Sequence, residues 1–339
     1  MRKVTKKLTQ ALVCASAFLV CSHSANAKVA TQDNTADIQA FINTMVKKHQ
    51  FDEAYLSNLL LDAKPNNDIL ASIKRPWEAK PWYQYHPIFL TEKRTQKGVE
   101  FWQQHEATLA RAEKELGVPA EIIVAILGVE SFFGTYKGKH KVLDSLFTLG
   151  FYHPPRATFF RKELEAFFVL ARDEKLPVTE VMGSYAGAMG WGQFISSSYQ
   201  HYAIDFDGDG IRDLLNNPVD AIGSVANYFK RNGWKTNQPV AFPAEISDST
   251  NTNKLLSKSL KFKHHWQDLQ RQNVTISDKS VTLSANDSVK LLEFKQESAK
   301  EYWVGLHNFY VITRYNHSPL YAMAVYQLSQ NIKARKMSL

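Results

Sequence analysis

Cysteine is almost absent from this chain of 339 residues, in which Cys14 and Cys21 are the two examples. Both lie in the first 27 residues, which have a basic start, a short apolar run from Ala11 to Cys21 and the ending Ala25-Asn26-Ala27. This pattern is typical of a secretory signal that is cleaved after its last alanine. The mature chain would then contain no cysteine, which excludes disulfides and thiolate catalysis.

Long apolar runs are also scarce. The run from Ala11 to Cys21 is too short to cross a membrane as a permanent helix, and no other long run follows it. Lipidation at Cys14 or Cys21 is the alternative to cleavage, but valine precedes each cysteine where a lipoprotein signal has a small residue. We therefore expect a periplasmic protein that begins at Lys28, rather than an outer-membrane lipoprotein, with no integral membrane segment in the mature chain.

The chain has only a modest excess of positive charge. It contains 41 Lys and Arg against 33 Asp and Glu, for a net charge of +8. Four of the basic residues lie in the signal, so the mature chain would carry about +4. This excess suits a mildly anionic polymer, but it is too dispersed for nucleic acid, and no nucleic-acid motif is present. We expect a monomer that does not bind nucleic acid.

Helical periodicity dominates the sequence, which predicts a mainly helical, α+β fold. The expected helices are two short ones between Asp37 and Leu61, then Gly98 to Leu116, Thr158 to Leu176, Pro218 to Arg231 and Leu320 to Ile332. From Trp234 to Glu293 the sequence becomes polar, with short alternating runs that predict a small β-containing part. The aromatic runs from Trp303 to Asn316 are strand-like.

The stretch from Gly117 to Gly134 (GVPAEIIVAILGVESFFG) places one carboxylate in apolar surroundings. Pro119 suits the first turn of a helix from Ala120 to Ser131. The residues three, four and seven positions before Glu130 are Leu127, Ile126 and Ile123. Lost hydration on that face would raise the pKa of Glu130 and suit it to act as a general acid. Glu130 is the candidate catalytic residue. The alternative is a structural role, as a helix-end cap or a partner of Lys137.

Two irregular segments carry candidate ligand contacts. Lys74 to Pro87 is rich in Pro, Trp and Tyr, which predicts an extended segment that wraps a surface. Its rings, including Tyr85, either pin the segment to the core or line a groove for a ring-shaped ligand. Phe151 to Arg156 contains two successive prolines, which predicts a non-helical loop with Arg156 at its tip. Arg156 would hold a substrate carboxylate or be merely solvated.

Small residues are concentrated between Ser184 and Gln193 (SYAGAMGWGQ). Such density allows close approach of the backbone to a neighbouring element or to a ligand. Ser184, Gln193 and the indole of Trp191 would supply polar and stacking groups to a ligand. Tight helix packing is the alternative explanation.

The sequence Asp205-Phe206-Asp207-Gly208-Asp209-Gly210 has the DxDxDG pattern of a calcium-binding loop. Three carboxylates on alternate residues would repel one another without a cation, which favours an ion site over a solvated acidic turn. The carbonyl of Ile211 would be a further ligand. Position twelve of the pattern is Asn216 instead of a bidentate Glu, so Asp220 would close the shell. We expect a structural ion and no cofactor in catalysis.

Taken together, several motifs resemble the membrane-bound lytic murein transglycosylase B family. These are GVPAEIIVAILGVESFFGTY, PPRATFFRKEL, GSYAGAMGWGQF, DFDGDG, PVDAIGSVANYFKRNGW and TRYNHSPLYAMAV. They occur in order over most of residues 37–233 and again at 313–325, whereas residues 235–293 carry little of the resemblance.

The resemblance implies an enzyme that cleaves the β-1,4 bond between N-acetylmuramic acid and N-acetylglucosamine in peptidoglycan glycan strands. It implies that no water enters and that a 1,6-anhydro-muramyl end forms. One Glu of the family does the proton work, and it corresponds to Glu130. It first protonates the glycosidic oxygen and then, as carboxylate, takes the proton of the C6 hydroxyl. Asp144 is the nearest other acid, and we interpret it as a helix cap.

The resemblance also implies a fold and a set of groove residues. By motif match the saccharide groove would be lined by Ser184, Gln193, Tyr228, Tyr315, Asn316, Tyr321, Tyr85 and Arg156. Residues 97–234 would form a lysozyme-like catalytic core, after an N-terminal helical and wrapping segment at 28–96. The ion loop of this core would bind Ca²⁺ or Na⁺, as it does in the family. Residues 235–300 would form the β-containing part, and 301–339 would return to the groove.

Two other functions compete with the transglycosylase. A lysozyme-type hydrolase would use water, and a non-catalytic protein would bind peptidoglycan without turnover. Retention of Glu130 within an intact motif argues against the binding protein. The products of cell-wall digestion distinguish the three, because they give anhydro ends, reducing ends or no product.

Overall fold

The computed structural model describes residues 34–74 and 80–339, so the predicted signal at 1–27 lies outside the described residues. Fifteen α-helices are found among the described residues. They are α1 (Thr35–His49), α2 (Glu53–Leu60), α3 (Asn67–Ser72), α4 (Trp82–Tyr85), α5 (Glu92–Gln104), α6 (Glu106–Leu116), α7 (Ala120–Ser131), α8 (Val142–Tyr152), α9 (Ala157–Asp173), α10 (Ser196–Tyr202), α11 (Pro218–Arg231), α12 (Thr252–Leu255), α13 (Trp266–Gln270), α14 (His307–Tyr315) and α15 (Pro319–Met337). No helix in these two ranges combines the length and apolar character that a membrane crossing requires.

The strands of the described residues form two antiparallel sheets. One pairs β1 (His140–Lys141) with β2 (Met182–Gly183). The other contains β3 (Ala241–Ile246), β4 (His264–His265), β5 (Val274–Ile276), β6 (Ser288–Lys295) and β7 (Lys300–Gly305), in the spatial order β4-β6-β7-β3-β5. The prediction of a mainly helical fold with a small β-containing part is therefore confirmed. Strand β7 runs five residues past residue 300, where we expected the β part to end.

The β part is joined to the helices through alternate residues of β6. Leu291 packs in the separate apolar cluster of the β part, whereas Leu292 and Phe294 pack in the large helical core. Successive side chains of a strand point to opposite faces, so β6 contributes side chains to both clusters. The ring of Phe294 in β6 lies 5.1 Å from that of Trp82 in α4, and this contact attaches α4 to the β part.

Helix α7 lies at the centre of the helical core, with the bounds that the sequence predicts. Its residues from Ala120 to Gly128 are all buried, because α5, α6, α11 and α15 pack around it. A helix that is apolar on every side is stable only in such an enclosed place. Glu130 lies where the helix leaves the core.

The helix predicted from Gly98 to Leu116 is two helices in the structure, and that prediction was wrong. Helix α5 ends at Gln104 and α6 begins at Glu106, with His105 outside helical geometry at φ −116° and ψ 27°. The bend lets α5 pack on α7 and α15 while α6 packs on α11. Periodicity within the sequence cannot show it, because both halves keep helical spacing.

Three further local predictions were also wrong. Trp82 to Ile88 and Pro154 to Arg156 form helical turns where we expected extended or loop structure, and Phe151 belongs to α8. Proline is tolerated in a first helical turn, which explains both prolines of the second segment. The aromatic run after β7 is α14, not a strand. Asn308 is buried in the first turn of α14, and its side chain bonds to the backbone of Lys235 and Gln238. These bonds hold the first turn of α14 against the segment that precedes β3.

Candidate active site

Glu130 is held by a tyrosine from the other end of the described chain. The hydroxyl of Tyr321 donates a hydrogen bond to Oε1 of Glu130, with an oxygen separation of 2.5 Å. Tyr321 lies in the first turn of α15 and is only 3% exposed. Ser318 caps that turn by accepting from the backbone nitrogen of Tyr321, and Pro319 occupies the first helical position. The carboxyl group of Glu130 is therefore oriented by a donor that is itself fixed.

A second tyrosine supports the first. The ring of Tyr315, the last residue of α14, stacks on that of Tyr321 with centroids 6.4 Å apart and an interplanar angle of 8°. Its hydroxyl donates to the carbonyl oxygen of Gly192 at 2.6 Å. A Cβ atom at Gly192 would lie 2.8 Å from that hydroxyl, so glycine is required there.

The environment keeps both phenols neutral. Burial raises the pKa of Tyr321 well above its ordinary value, and the charge of Glu130 raises it further. Burial and the charge of Glu130 act in the same way on the pKa of Tyr315. A neutral phenol can donate a hydrogen bond and a phenolate cannot, so Tyr321 remains a donor to Glu130 across the neutral range.

Two more of the predicted residues lie beside this pair. Tyr85 is 1% exposed, and its proximity is one of the smaller causes of the raised pKa of Tyr321. Its ring contacts that of Phe89 at 5.1 Å and that of Trp82 at 6.3 Å. Asn316 directly follows Tyr315 at the end of α14. Thus Tyr85, Tyr315 and Tyr321 belong to one cluster with Glu130, and Asn316 adjoins the cluster through its neighbour Tyr315.

The turn after Glu130 has an unusual backbone. Phe132 and Phe133 both adopt left-handed conformations, with φ of 50° and 56°. Each such residue costs of order 1–3 kcal/mol, and the conformation persists only where the surrounding structure enforces it. Here the backbone nitrogens of Phe132 and Phe133 donate to Gly128 and Leu127, and Ser131 accepts from Gly134. These bonds end α7 abruptly and set the position of Glu130. In the sequence, Gly134 alone indicates a turn at this point.

The segment from Ser184 to Gln193 is a looped turn in which both predicted polar side chains bind backbone. The hydroxyl of Ser184 accepts from the nitrogens of Ala186 and Ala188. The amide of Gln193 donates to the carbonyls of Lys137 and Gly190, at 3.2 and 2.9 Å. Both side chains are half-buried. They fix this loop beside the end of α7, and the loop's Gly192 reaches the cluster through Tyr315.

The remaining two predicted groove residues have other neighbours. The hydroxyl of Tyr228 donates to the carbonyl of Arg314 at 2.5 Å, and its ring lies 4.8 Å from that of Tyr315. Tyr228 therefore packs against the ring of Tyr315 and stabilises its position. The guanidinium of Arg156 lies over the rings of Phe159 and Phe160, at 4.3 and 5.0 Å. Among the described residues, Arg156 makes no hydrogen bond or ring contact with the cluster around Glu130.

Asp144 is not the helix cap that we expected. It lies in the first turn of α8, whose N-cap is Lys141. A negative charge in a first turn still complements the helix dipole, which accounts for an exposed Asp at this position.

The acidic loop brings three of the predicted ion ligands together. Carboxylate oxygens of Asp205, Asp207 and Asp209 lie within 4.8 Å of one another. The carboxylate of Asp205 accepts from the backbone nitrogens of Gly208, Asp209 and Gly210. These bonds lower the pKa of Asp205 below its usual value, with the bond from Gly210 as the largest cause. Converging carboxylates of this kind can hold a hard cation.

Asp220, in the first turn of α11, lies outside that group of three and binds the backbone of the loop. It is fully buried, and its two oxygens accept from the backbone nitrogens of Phe206 and Asp213, at 2.7 and 2.8 Å. Burial raises its pKa, and those two bonds act in the opposite direction. The structure thus gives Asp220 a supporting role instead of the ligand role that the sequence suggested.

The ion loop is connected to the loop beside Glu130 by contacts that the sequence did not reveal. The backbone nitrogen of Trp191 donates to the carbonyl of Leu214 at 3.0 Å. The ammonium of Lys137 donates to the carbonyl of Leu215 at 2.6 Å, while the carbonyl of Lys137 accepts from Gln193. Lys137 had been considered as a partner for Glu130, and its bonded partner here is instead the end of the ion loop.

The chain matches a known family over nearly its whole length. The model described as Transglycosylase SLT domain matches residues 33–330. Membrane-bound lytic murein transglycosylase B of Escherichia coli (strain K12) is 43% identical over 309 residues, which cover 88% of this chain and 83% of that protein.

Solved structures of similar proteins have the same fold. The soluble lytic transglycosylase SltB1 from Pseudomonas aeruginosa is 46% identical with a TM-score of 0.82, and the match covers 88% of this chain and 99% of that one. The Escherichia coli lytic transglycosylase Slt35 in complex with calcium is 43% identical with a TM-score of 0.81, covering 90% and 95%. SltB3 from Pseudomonas aeruginosa in complex with NAG-anhNAM-pentapeptide is 29% identical with a TM-score of 0.77, covering 88% and 79%. This chain therefore belongs to the transglycosylase SLT domain family, among the lytic murein transglycosylases of the B type.

Proposed function

We propose that the protein is a lytic transglycosylase of peptidoglycan, which cleaves the β-1,4 bond between N-acetylmuramic acid and N-acetylglucosamine. The observation that carries this proposal is the single carboxyl group of Glu130 at the end of α7, oriented by the hydroxyl of Tyr321. Similarity to lytic murein transglycosylase B and to SltB3 bound to an anhydro-muramyl product supports the substrate class.

In the proposed reaction Glu130 acts twice. Its carboxylic acid first gives a proton to the glycosidic oxygen as the bond from that oxygen to the muramyl C1 breaks. The resulting carboxylate then takes the proton of the muramyl C6 hydroxyl, whose oxygen bonds to C1 and closes the 1,6-anhydro ring. The proton count balances and no water is consumed. One group can serve as acid and then base because its protonation state changes between the two steps.

We propose further that the predicted groove residues divide into two kinds. Tyr85, Tyr315, Asn316 and Tyr321 lie close enough to Glu130 to contact the muramyl unit, and phenol and amide groups suit its hydroxyl and acetamido groups. The surrounding loops are held by Ser184, Gln193 and Tyr228 through the hydrogen bonds described above. Any contact of these side chains with the sugar would be a second role. Arg156 remains a candidate for a more distant carboxylate.

We also propose that Asp205, Asp207, Asp209 and the carbonyl of Ile211 hold a structural Ca²⁺ ion. The three carboxylates supply hard oxygen ligands at one place, and Slt35 was crystallised with calcium. The ion would neutralise the charge of the loop and stabilise the fold. It takes no part in the proposed proton transfers, which Glu130 performs.

Location in the periplasm is part of the proposal. It rests on the signal-like pattern of the first 27 residues, which lie outside the described residues. The similar Escherichia coli protein is named membrane-bound, so anchoring is the competing possibility. Intact-mass measurement of protein from its native host decides between a chain that begins at Lys28 and one that begins at an acylated cysteine.

Digestion of purified peptidoglycan tests the proposed reaction. We expect the enzyme to release fragments with 1,6-anhydro-muramyl ends, which mass spectrometry distinguishes from reducing ends because they lack one water. Reducing ends would identify a hydrolase. Binding without any product would identify a peptidoglycan-binding protein.

A further inference from the structure

An aromatic pair with one exposed ring lies directly beyond the predicted catalytic residue. Tyr136 is 68% exposed, an unusual value for a large aromatic residue. Its ring lies 5.9 Å from that of Phe132, which is half-buried two residues after Glu130. The backbone nitrogen of Tyr136 donates to the carbonyl of Ser131 at 2.8 Å, so the pair is tied to the end of α7. Its position relative to Glu130 is therefore fixed.

The pair continues a row of rings that begins within the cluster around Glu130. The ring of Tyr85 contacts that of Phe89 at 5.1 Å. The guanidinium of Arg94 then lies between two rings, 5.4 Å from the centroid of Phe89 and 5.1 Å from that of Phe132. We call the four residues Phe89, Arg94, Phe132 and Tyr136 the aromatic strip. The centres of successive members lie 5.1 to 5.9 Å apart, and Tyr136 is the exposed end of the strip, where a sugar ring can stack.

The strip is held rigidly at its middle. The side chain of Arg94 donates to the carbonyls of Gly128 and Ile88, so it links α7 with the turn that carries Phe89. Its guanidinium lies between the two rings, and the residue is half-buried. A preformed surface of this kind loses little conformational entropy when a ligand binds, which favours binding.

Exposed positive charge borders the strip. The ammonium of Lys93 lies 5.8 Å from the centroid of Phe132, and Lys139 and Lys141 follow Tyr136 as exposed residues. Flat aromatic faces stack on the apolar faces of sugar rings, and lysines attract carboxylates. A sugar that carries an anionic peptide has both features in one molecule.

From this geometry we propose that the aromatic strip binds a second sugar of the peptidoglycan strand, outside the bond that is cleaved, and that Lys93 contacts a carboxylate of its peptide. The proposal rests on the proposed function, because it takes the strand at Glu130 as its starting point. It gives the enzyme a preference for longer strands and for strands that retain their peptides.

Binding measurements in the Glu130→Gln background test the strip without interference from turnover. The probes are purified glycan strands of six or more sugars, with and without stem peptides, and the corresponding disaccharide. Loss of one aromatic contact weakens binding by roughly three- to tenfold. We expect Tyr136→Ala to weaken binding of the long strands by that factor, Tyr136→Phe to restore it, and the disaccharide to be unaffected. Lys93→Gln should weaken the binding only of strands that carry peptides.

The control is Tyr55→Ala, which removes an aromatic side chain that is 42% exposed on α2. Equal affinity of long strands for the Tyr136→Ala and Tyr55→Ala proteins would overturn the proposal. So would an equal loss for the disaccharide, because it would indicate damage at Glu130. Binding of the strip to anionic lipid vesicles, with glycan binding unchanged by Tyr136→Ala, would assign it to a membrane and also overturn the proposal. Failure of the background protein to bind any strand would instead contradict the proposed function.

Discussion

The hydroxyl of Tyr321 and the carboxyl of Glu130 form a 2.5 Å hydrogen bond between residues that are 191 positions apart in the sequence. The bond joins the first turn of α15 to the last turn of α7, two helices that pack directly on each other. The reacting group is therefore fixed by the C-terminal segment as well as by its own helix. This explains why the chain returns to the helical core after the β part.

Loss of that hydrogen bond should reduce the reaction rate more than it reduces stability. Hydrogen bonds to charged groups contribute about 1.5–3 kcal/mol, so Tyr321→Phe should lower kcat by roughly ten- to a hundredfold. The matched control is Tyr326→Phe on the same helix, whose hydroxyl donates to the carbonyl of Ala241 at 3.1 Å. That variant should lose some thermal stability and keep its kcat. A Tyr321→Phe enzyme as fast as the control would contradict the positioning role.

The tyrosines near Glu130 should not set the pH dependence of activity. Burial raises the pKa of Tyr321 and Tyr315 well above the ordinary value near 10, so both remain protonated below that value. The Tyr321→Phe variant should then show as many titration steps in its pH–rate profile between about pH 5 and 9 as the wild type, because the phenol does not ionise there. Both phenols are also protonated in the unfolded chain below pH 10. Their contribution to stability is thus constant there, and it is lost only as the pH rises above the unfolded value. Loss of a titration step in the variant would contradict this prediction.

Calcium should stabilise the fold through the acidic loop. A ligand that binds only the folded state raises stability by RT ln(1 + [L]/Kd), about 2.7 kcal/mol at a hundred times Kd. Adding Ca²⁺ to chelated protein should therefore raise the melting temperature. The double variant Asp207→Ala, Asp209→Ala should lose that response, whereas Asp62→Ala, an exposed residue on another surface, should keep it. An unchanged melting temperature across the titration of the metal-free wild type would refute the site.

Lys137 should couple the ion loop to the loop beside Glu130. Its ammonium donates to Leu215, and its carbonyl holds Gln193, which is predicted to line the groove. Because Lys137 is only half-buried, Lys137→Met should cost about 1 kcal/mol, at the low end for a charged hydrogen bond. We expect a raised KM with kcat nearly unchanged, and a melting temperature lower by a few degrees. The matched control is Lys47→Met, which removes the same charge from an exposed position on α1 and should change neither KM nor the melting temperature. Identical behaviour of the two variants would count against the coupling.

Much of the fold and part of the candidate site could be predicted from local sequence. The bounds of α7 follow from Pro119 and from the apolar run, and the acidic loop follows from its own spacing. The break at His105 could not be predicted, because it depends on which helices pack on each half. The same is true of α14. Its aromatic residues suit a strand as well as a helix, and the hydrogen bonds between Asn308 and the backbone of Lys235 favour the helix.

The contacts that orient Glu130 belong to the tertiary structure. Tyr321 was selected only through resemblance to a family, and nothing in its neighbours in the sequence shows that it reaches Glu130. The left-handed backbone of Phe132 and Phe133 is equally hidden, since phenylalanine has no preference for that conformation. Asp220 had the right residue type for an ion ligand, but its burial and its two backbone bonds give it another role.

Replacement of Glu130 by glutamine should abolish turnover while the fold and glycan binding are retained. The amide has the shape of the acid but can neither give nor take the required proton. Loss of a general acid–base group costs about 10²-fold or more in rate. The control is Glu121→Gln in the first turn of the same helix, whose carboxylate pairs with Lys333 at 2.8 Å and should affect only stability. Activity of the Glu130 variant within tenfold of the wild type would exclude Glu130 as the catalytic residue.

The most direct test of the central claim is digestion of peptidoglycan in water enriched in heavy oxygen, followed by mass spectrometry of the released muramyl ends. If Glu130 transfers the proton of the C6 hydroxyl and the ring closes on C1, the ends are 1,6-anhydro and contain no heavy oxygen. Reducing ends that carry one heavy oxygen atom would show that water attacked C1, and they would contradict the transglycosylase mechanism.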